Sequence, residues 1–535
     1  MSKLSQKDYD ETMRLWEKTN YLPIVAEDEP IVSGNDVKNY RKFCPEVLYK
    51  LFGYFASSVH HFNDENDQQI AERYLSKVKA DRDDWRKIYS SVIPLHYSEC
   101  EHFSLLEKKK PGTPSEEIIE LKPNIYGIGI NFSMVNSSTI KNTAISANGT
   151  NYATGISLRD RTRNVTATNV SIRAIGTSNH VYGIHFYNNA TGNVIANSTI
   201  LVNSTGGGYS HGAFIEYDSQ SNTVESTNIT TGGVTSNNHG VYIYSLSRDN
   251  RINANMIRAN AGPGYGDSHG VYMLGSSGAL SRNDITNNAI TANGISGTYG
   301  IYLNTNVDNG TIQNNTINST GSASTHYGIR LYVNTKNNTI KNNTIWTSGT
   351  NSNYGIYIWG NWDVNNNSVI DNRIFPRGTE SLNIGIYLIG ASSTRITGNS
   401  VHTYGTQENH GIYASSGSGA CIISNNSIIA NGSTNYNYGI LAVAGGDNST
   451  IADNNITTVG LDSYGIYMDS SQGNYFHNNQ VNVSASDGLL ILGSDISQFA
   501  RHGFTTANTI NGSPVYYYGG TGDSPACPND QVLDN

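Results

Sequence analysis

The side chains best suited to acid–base chemistry fall in the early part of a repeating sequence, where arginines, carboxylates and one histidine occur within four repeats. An imidazole or a carboxylate can move a proton, and paired carboxylates can ligate calcium. We expect these residues to project near one face. The alternative is that charged residues in turns are solvated surface groups. The candidate catalytic residues are Arg159, Asp160, Arg161, His185, Glu216, Asp218, Arg248 and Asp249.

Aromatic residues recur two and four positions after a repeating glycine. On stacked strands they would form a ladder with steps of about 4.8 Å. Each ring offers an apolar face and a polar tip to a sugar. The alternative is that tyrosine suits strands and that neighbouring rings stack for stability. The candidate carbohydrate-binding residues are Tyr242, Tyr244, Tyr272, Tyr302, Tyr332, Tyr357, Trp359, Tyr387 and Tyr413.

Three histidines, His211, His239 and His269, precede the glycine in consecutive repeats. Stacked imidazoles can bind a metal. Later repeats hold tyrosine at the same position, as in Tyr299 and Tyr327, and this exchange favours an aromatic stack at a corner. The four cysteines are scattered, with the spacing of neither a metal site nor a disulfide framework. We therefore predict no metal and no other cofactor.

The elements that position these residues follow from a repeat of 26 to 30 residues, marked by segments such as Tyr299-Gly-Ile-Tyr-Leu303. Short runs of alternating apolar residues, separated by Asn, Gly, Ser and Thr, predict short strands joined by turns. The residues one and three positions after each glycine are apolar and should point inward. The marker glycines are Gly155, Gly183, Gly212, Gly240, Gly270, Gly300, Gly328, Gly355, Gly385, Gly411, Gly439 and Gly465.

One such repeat cannot bury its apolar face alone, but stacked copies can. The period predicts an all-β solenoid, a parallel β-helix of about 13–14 coils over residues 124–510. The handedness of parallel crossovers makes it right-handed. A β-propeller is excluded because its period of about 40 to 50 residues is too long.

The remaining segments differ in composition. Residues 1–106 are charged and have apolar residues near helical spacing, which predicts a small α-helical domain that anchors or caps the solenoid. Residues 107–123 form a linker rich in charge and proline. Residues 511–535 are turn-rich, and we expect a cap or tail that covers the last strand edge.

The formal net charge is −9 with only 14% charged residues, which excludes a typical nucleic-acid binder. No apolar run approaches the ~20 residues of a membrane span. The N-terminus has no apolar signal region, which favours the cytoplasm or export by another route. Numerous sequons would be glycosylation sites on an exported protein, although an Asn- and Thr-rich composition also produces them by chance. The sequons include Asn131, Asn148, Asn164, Asn197, Asn203, Asn228, Asn337, Asn342, Asn431, Asn448 and Asn482.

These repeats resemble the pectin-lyase-like superfamily over roughly residues 124–510. The segment from Asn508 to Tyr518 is similar to one in NosD-like periplasmic copper-binding proteins and archaeal surface β-helix proteins. Lyases of this superfamily combine calcium-binding carboxylates with a base that removes a proton next to a sugar carboxylate, so the resemblance implies calcium if the chain is a lyase. The repeats lack the paired aspartates and Arg-x-Lys motif of polygalacturonases. The chain has only 6 methionines and no His/Met/Cys cluster, so copper handling is not inferred.

Taken together, the sequence predicts a rod-like surface or virion protein with a structural or adhesive role. Its solenoid would present an aromatic, Asn-rich face to glycans or to further copies of the chain, giving a trimer or a fibre. The predicted location is extracellular, at a cell surface or on a virion. The alternative is an enzyme, a polysaccharide lyase or tailspike-like depolymerase acting on acidic polysaccharide.

Overall fold

The computed structural model describes residues 117–120 and 124–516, apart from short gaps at 178–179, 207, 235–236, 263–266, 277, 296, 324, 361–363, 485–486, 496–497 and 499–500. These residues form a parallel β-solenoid of about 13 turns. The predicted helical domain at 1–106 lies outside the described residues, as do most of the predicted linker and tail. In the described part of the chain, no helix has the length and apolarity that crossing a membrane requires.

A regular turn contributes a marker strand, a short strand and a return strand, in that order. Strands of one kind stack into a face of the solenoid. The marker face contains Asn124–Ser133, the end of Thr143–Arg159, His180–Tyr187, Tyr209–Ile215, Asn238–Tyr244, Ser268–Leu274, Thr298–Asn304, His326–Tyr332, Asn353–Trp359, Asn383–Ile389, Asn409–Ser415, Ile440–Val443, Ile466–Asp469 and Leu489–Leu492.

The short and return faces complete the coil. The short face contains Thr139–Lys141, Thr166–Thr168, Val194–Ala196, Thr223–Glu225, Arg251–Asn253, Asp284–Thr286, Thr311–Gln313, Thr339–Lys341, Ser368–Ile370, Arg395–Thr397, Ile422–Ser424, Thr450–Ala452, Tyr475–His477 and Gly503–Phe504. The return face contains Glu117–Glu120, the start of Thr143–Arg159, Ser171–Gly176, Thr199–Ser204, Asn228–Gly233, Met256–Ala261, Ala289–Gly294, Thr316–Gly321, Thr344–Gly349, Arg373–Gly378, Ser400–Gly405, Ser427–Asn435, Asn455–Leu461, Gln480–Val483 and Thr509–Ile510. Leu280–Ser281 and Val307–Asp308 form a separate pair, and Ser513–Pro514 turns back antiparallel to Thr509–Ile510.

The faces stack in parallel with a register that returns each repeat position to the same column. Tyr299 pairs with Tyr327, for example, and Ile301 pairs with Ile329. The two inward columns of the marker strands are buried from Ile156 and Leu158 onward, which confirms the predicted core positions. They pack against return-strand residues in one continuous hydrophobic core. The apolar periodicity therefore becomes the interior of the solenoid.

The recurrent marker glycine has a steric cause. A Cβ placed on Gly300 would lie 2.2 Å from Ile317 Cγ2 and 2.5 Å from the Gly328 carbonyl oxygen. The same contact with a return-strand side chain recurs at Gly240 and Gly411. Any side chain at this point would push the marker and return strands apart, because the interior is close-packed. The glycine marks the closest approach between these two faces.

Buried asparagines close the turn between the short and return strands. Asn372 donates its side-chain amide to the Ile340 carbonyl and to Asn399 Oδ1, and its own Oδ1 accepts from the backbone N–H of Asn343. The preceding residue, Asp371, has a φ of 55°. This left-handed residue turns the chain, and the asparagine satisfies backbone groups that water cannot reach. Such asparagines form a ladder along the solenoid, comprising Asn255, Asn288, Asn315, Asn343, Asn372, Asn399, Asn426, Asn454, Asn479 and Asn508.

We expect the Asn372→Ala variant to lose about 3 kcal/mol of unfolding free energy, because it leaves the Asn343 N–H and the Ile340 carbonyl buried without a partner. Urea denaturation of the two proteins measures the difference. Asp371→Asn is the matched control, since asparagine tolerates the left-handed conformation at this exposed position. Equal losses in the two variants, or no loss in Asn372→Ala, would contradict the proposed role of the ladder.

Candidate functional site

The outer surface of the marker face carries a continuous aromatic layer, referred to below as the marker layer. It arises because the residue before each marker glycine and the residue two positions after it both point outward and pack together. Tyr299 and Tyr302 have ring centroids 4.8 Å apart, as do Tyr299 and Tyr327 in adjacent coils. The marker layer comprises Tyr182, His185, His211, Phe214, His239, Tyr242, His269, Tyr272, Tyr299, Tyr302, Tyr327, Tyr354, Tyr357, Tyr387, His410, Tyr413, Tyr438, Tyr464 and Tyr467.

The predicted sugar-binding aromatics stack on one another. Tyr387 and Tyr413 lie 4.4 Å apart with planes 8° from parallel, and Tyr332 and Trp359 lie 4.5 Å apart at 10°. Tyr302 is buried, and the other eight candidates are half-buried. Stacking covers ring faces that a sugar would otherwise use, and leaves ring edges and hydroxyl groups at the surface. The layer therefore favours hydrogen bonding to a ligand over ring-on-ring stacking.

Arg330 lies among the rings of the marker layer, at a position that tyrosine fills in the adjacent coils. Its guanidinium carbon lies 4.7 Å from the Tyr332 ring centroid and 5.0 Å from those of Tyr302 and Tyr327. It donates to the Tyr299 hydroxyl oxygen at 3.1 Å. Among the described residues, no carboxylate forms an ion pair with this guanidinium. Arg330 is therefore a half-buried positive charge that is held by rings and has no ion-pair partner among the described residues, although it is near enough to Asp267 to offset part of the rise in pKa that burial causes at that carboxyl.

Arg330 was not among the candidates from sequence. The sequence did contain a signal for Arg330. In Tyr327-Gly-Ile-Arg-Leu331 the arginine occupies a column that holds Tyr302 in the preceding coil and Tyr357 in the following coil. The sequence could not show that five rings surround the side chain, since these come from three coils. Burial raises the pKa of Tyr302 and Tyr327 above the usual range, so these hydroxyls stay protonated and can donate hydrogen bonds.

Several of the predicted catalytic residues lie in turns and are paired there. Arg159 Nε contacts Asp160 at 3.0 Å, and Asp160 also accepts hydrogen bonds from Ser133 and Asn188. Arg161 is exposed beside them, with a φ of 65°. These residues shape a turn with left-handed backbone, and the Asp160 carboxylate is already bonded to three neighbouring side chains.

The next charged candidates pair across coils. Arg248 donates to Asp218 at 2.6 Å, and Arg282 of the following coil donates to both carboxylate oxygens of Asp249 at 2.6 and 2.8 Å. Asp218 and Asp249 both have left-handed backbone. Such partly exposed pairs contribute little to stability. Across the residues the structure describes, no group of three or more His, Cys, Asp or Glu side chains is arranged to hold a metal ion.

His185 and Glu216 form a separate pair on the marker face. Their side chains meet at 2.7 Å between Nε2 and Oε1, and Glu216 is buried. The imidazole stacks on Phe214 at 5.2 Å with planes 5° apart. A carboxylate that orients an imidazole is the arrangement of a general base. The structure thus brings two of the eight predicted catalytic residues together inside the aromatic layer.

The three predicted metal-binding histidines are members of the same layer. His211 and His239 stack at 4.9 Å, His239 and His269 share a hydrogen bond of 2.8 Å between their Nδ1 atoms, and His269 stacks on Tyr299 at 4.6 Å. Burial, reinforced by neighbouring imidazoles, lowers the pKa of His211 and His239 well below the usual value. The pKa of His269 is lowered to about 3, again mainly by burial. The histidines are neutral rings in an aromatic stack.

Comparison with known proteins bears on the fold. A family model described as "right handed beta helix region" matches residues 208–374 and 354–524. No curated protein matches the chain. Among solved structures, the mannuronan C-5 epimerase AlgE4 A-module of Azotobacter vinelandii is similar at 13% identity, over 62% of this chain and 89% of that one, with a TM-score of 0.39.

Two tailspike structures are also similar. The Dettilon tailspike protein gp208 has 14% identity over 68% of this chain and 63% of that one, with a TM-score of 0.40. Bacteriophage CBA120 tailspike protein 3 has 12% identity over 73% and 58% of the two chains, with a TM-score of 0.33. The chain thus spans less than two-thirds of either tailspike. At these identities the similarity concerns the fold alone.

The buried histidines predict acid sensitivity. His410 is buried, and burial lowers its pKa to about 3, whereas an unfolded chain has the ordinary value near 6.5. The unfolded state therefore binds the proton first as pH falls, so the stabilising contribution is complete above pH 6.5 and is lost toward pH 3. Between pH 7 and pH 5 this one group should remove about 2 kcal/mol of unfolding free energy.

Urea denaturation at pH 7 and pH 5 tests this for the wild type and His410→Tyr. Tyrosine fills the same column at Tyr438, which stacks on His410 at 5.0 Å, and it takes up no proton in this range. We expect a smaller pH-dependent loss in the variant. His477→Gln, on the exposed outer side of the short face, is the control. Identical pH dependence in His410→Tyr and the wild type would refute the assignment.

Proposed function

We propose that this chain, which belongs to the family of right-handed β-helix regions, binds an extended acidic polysaccharide along its marker layer. Its stacked coils provide long outward columns of side chains for this polymer. The ligand lies parallel to the solenoid axis and meets hydroxyl groups and ring edges from successive coils. The binding takes place outside the cell, at a cell surface or on a virion, and the solenoid acts as an adhesive rod. Self-association into a trimer or fibre stays a prediction.

The observation that carries this proposal is the half-buried charge of Arg330, which forms no ion pair with any described carboxylate. A desolvated guanidinium is costly unless an anion or a set of acceptors meets it. Tyrosine rings supply part of this stabilisation through cation–π contacts, but the Nε atom of Arg330 has no hydrogen-bond partner. Because that Nε is buried, a sugar carboxylate would meet the two terminal nitrogens of the guanidinium, which can bind it through two parallel hydrogen bonds.

Neutral hydrogen-bonding groups surround this charge. Asn304, which lies in the coil next to that of Arg330, donates to the Tyr272 hydroxyl oxygen at 2.8 Å. Tyr299, Tyr302 and Tyr327 add phenol groups whose pKa burial raises. Phenols and amides bind sugar hydroxyls as donors and acceptors. The arrangement suits a polymer that carries both carboxylates and hydroxyls.

The direct test replaces Arg330 with tyrosine. Tyr302 and Tyr357 occupy this position in the adjacent coils, so the variant is expected to keep the fold while losing the charge. Affinity for polygalacturonate, measured by isothermal titration calorimetry, should fall at least about tenfold, the loss expected when one charge-assisted contact of about 1.4 kcal/mol or more is removed. Binding of neutral dextran should not change.

Arg395→Gln is the matched control, because Arg395 is an exposed arginine on the short face. It should bind polygalacturonate like the wild type. Unchanged affinity in Arg330→Tyr, or an equal loss in both variants, would overturn the proposal. Circular dichroism and thermal melting confirm that the variants are folded.

The His185–Glu216 pair favours a second candidate function, cleavage of the bound polymer. In β-elimination a base removes the proton next to the sugar carboxylate, the glycosidic C–O bond breaks, and a carbon–carbon double bond remains at the new sugar end. His185 is the candidate base, oriented by the Glu216 carboxylate. The leaving oxygen takes up a proton to form the second new end.

Ultraviolet absorbance of unsaturated sugar ends measures this activity on polygalacturonate, with and without calcium. Glu216→Gln and His185→Phe should each abolish product formation while binding to the Arg330 region persists. Asp249→Asn, which breaks the turn pair with Arg282, should cleave like the wild type. Polymers that remain full length with the wild-type protein would leave binding as the function and eliminate the lyase.

A further inference from the structure

A second cluster of aromatic side chains lies on the outside of the return face, away from the marker layer. Trp346, Phe375 and His402 occupy the central outward position of three successive return strands. Trp346 and Phe375 rings lie 5.8 Å apart, and Phe375 and His402 lie 5.7 Å apart. Tyr404 extends the cluster, 6.4 Å from His402. These four residues are referred to below as the return patch.

The fold does not require aromatic rings here. The interior of these strands is filled by Ile345, Ile374 and Val401, which are buried. In the coils immediately before the patch, the central outward residues are Thr291 and Asn318. Trp346 remains 38% exposed. An exposed tryptophan next to further rings, on a face whose central outward residues are polar in the two preceding coils, indicates a binding surface.

Two arginines flank the ring of Phe375 on its own strand. Arg373 and Arg377 are both exposed, and the guanidinium carbon of Arg377 lies 5.0 Å from the Tyr404 ring centroid. Within the described range, neither arginine forms an ion pair with a carboxylate. The charge of Arg377 also acts on the imidazole, since burial together with Arg377 lowers the pKa of His402. In a chain with a formal net charge of −9, this makes a local positive site.

The neighbouring side chains are short and polar. Thr344 and Ser348 lie on either side of Trp346 along its strand, and Ser400 is in register with Arg373. Hydroxyl groups of this kind bond to sugar hydroxyls, and the ring surfaces accept the apolar side of a sugar. Three coils at about 4.8 Å each give a site roughly 10 Å long. That length suits a few sugar units rather than a protein partner.

We infer that the return patch, with Arg373 and Arg377, is a second binding site, for an anionic glycan that bears carboxylate or sulfate groups. The inference does not depend on the marker-layer function, because it uses a different face and different residues. Guanidinium groups pair with the anionic groups while Trp346 and Phe375 contact the sugar rings. A glycan is favoured over a nucleic acid because only Arg373 and Arg377 lie beside the rings, while Arg173 and Arg258 of the same face lie at least three coils away, so no basic stripe runs past the patch.

The test is performed on the full chain carrying Arg330→Tyr, so that marker-layer binding is weakened. Isothermal titration calorimetry then measures the binding of three glycans. These are sulfated heparin, carboxylated polygalacturonate and neutral dextran. We expect at least one anionic glycan to bind. In Trp346→Ala/Phe375→Ala its affinity should fall at least about tenfold, as for loss of an aromatic hot spot. Arg373→Gln/Arg377→Gln should produce a similar loss, and dextran should not bind.

The matched control is Arg258→Gln, which removes an exposed arginine from the same face, on a return strand without aromatic residues. It should bind like its parent. If neither heparin nor polygalacturonate binds, the inference is overturned. So would unchanged affinity in both double variants, or an equal loss in Arg258→Gln. Binding of a single-stranded oligonucleotide through the same residues, without glycan binding, would also refute it.

Discussion

The structure depends on the close approach of the marker and return strands at each marker glycine. A Cβ on Gly270 or Gly355 would lie about as close to a return-strand side chain as one on Gly300 does. This contact fixes the thickness of the solenoid and brings the inward columns of the two faces together. Since the same contact recurs in every regular coil, each repeat position returns to the same column. The outward columns are aligned in the same way, whatever residues they contain.

The functional surfaces follow from that alignment. A single tyrosine on an isolated strand would be an ordinary exposed ring, but in a column each ring covers the next, as for Tyr387 and Tyr413. Stacking buries neutral histidines in the same layer and holds Arg330 among phenol rings. The return face uses the same geometry for Trp346 and Phe375, without a continuous column. Both surfaces combine rings with an arginine that has no ion-pair partner in the described residues, which favours ligands that are both sugar-like and anionic.

The turns account for features that could be mistaken for functional motifs. Asn342 has left-handed backbone, Asn343 is a buried ladder residue, and Thr344 begins the return strand. This succession creates an Asn-x-Thr sequon from structural requirements alone. Likewise Asp160, Asp218 and Asp249 lie at left-handed turn positions, where aspartate is favoured for its local hydrogen bonding. Their carboxylates pair with arginines from the same or an adjacent coil, so the turns explain their presence without catalysis.

The sequence by itself determined the coil. The glycine period, the apolar residues one and three positions later, and the recurrent asparagines predicted parallel strands, a buried core and tight turns, because these requirements are local and repeat in every coil. It also identified His185 and Glu216 as chemically suitable residues. Only the tertiary structure decided that these two meet at 2.7 Å while Asp249 pairs with Arg282, and that five rings enclose Arg330. Most of these contacts join residues about 30 positions apart, and their geometry depends on the register and side-chain packing between coils, which a one-dimensional period does not specify.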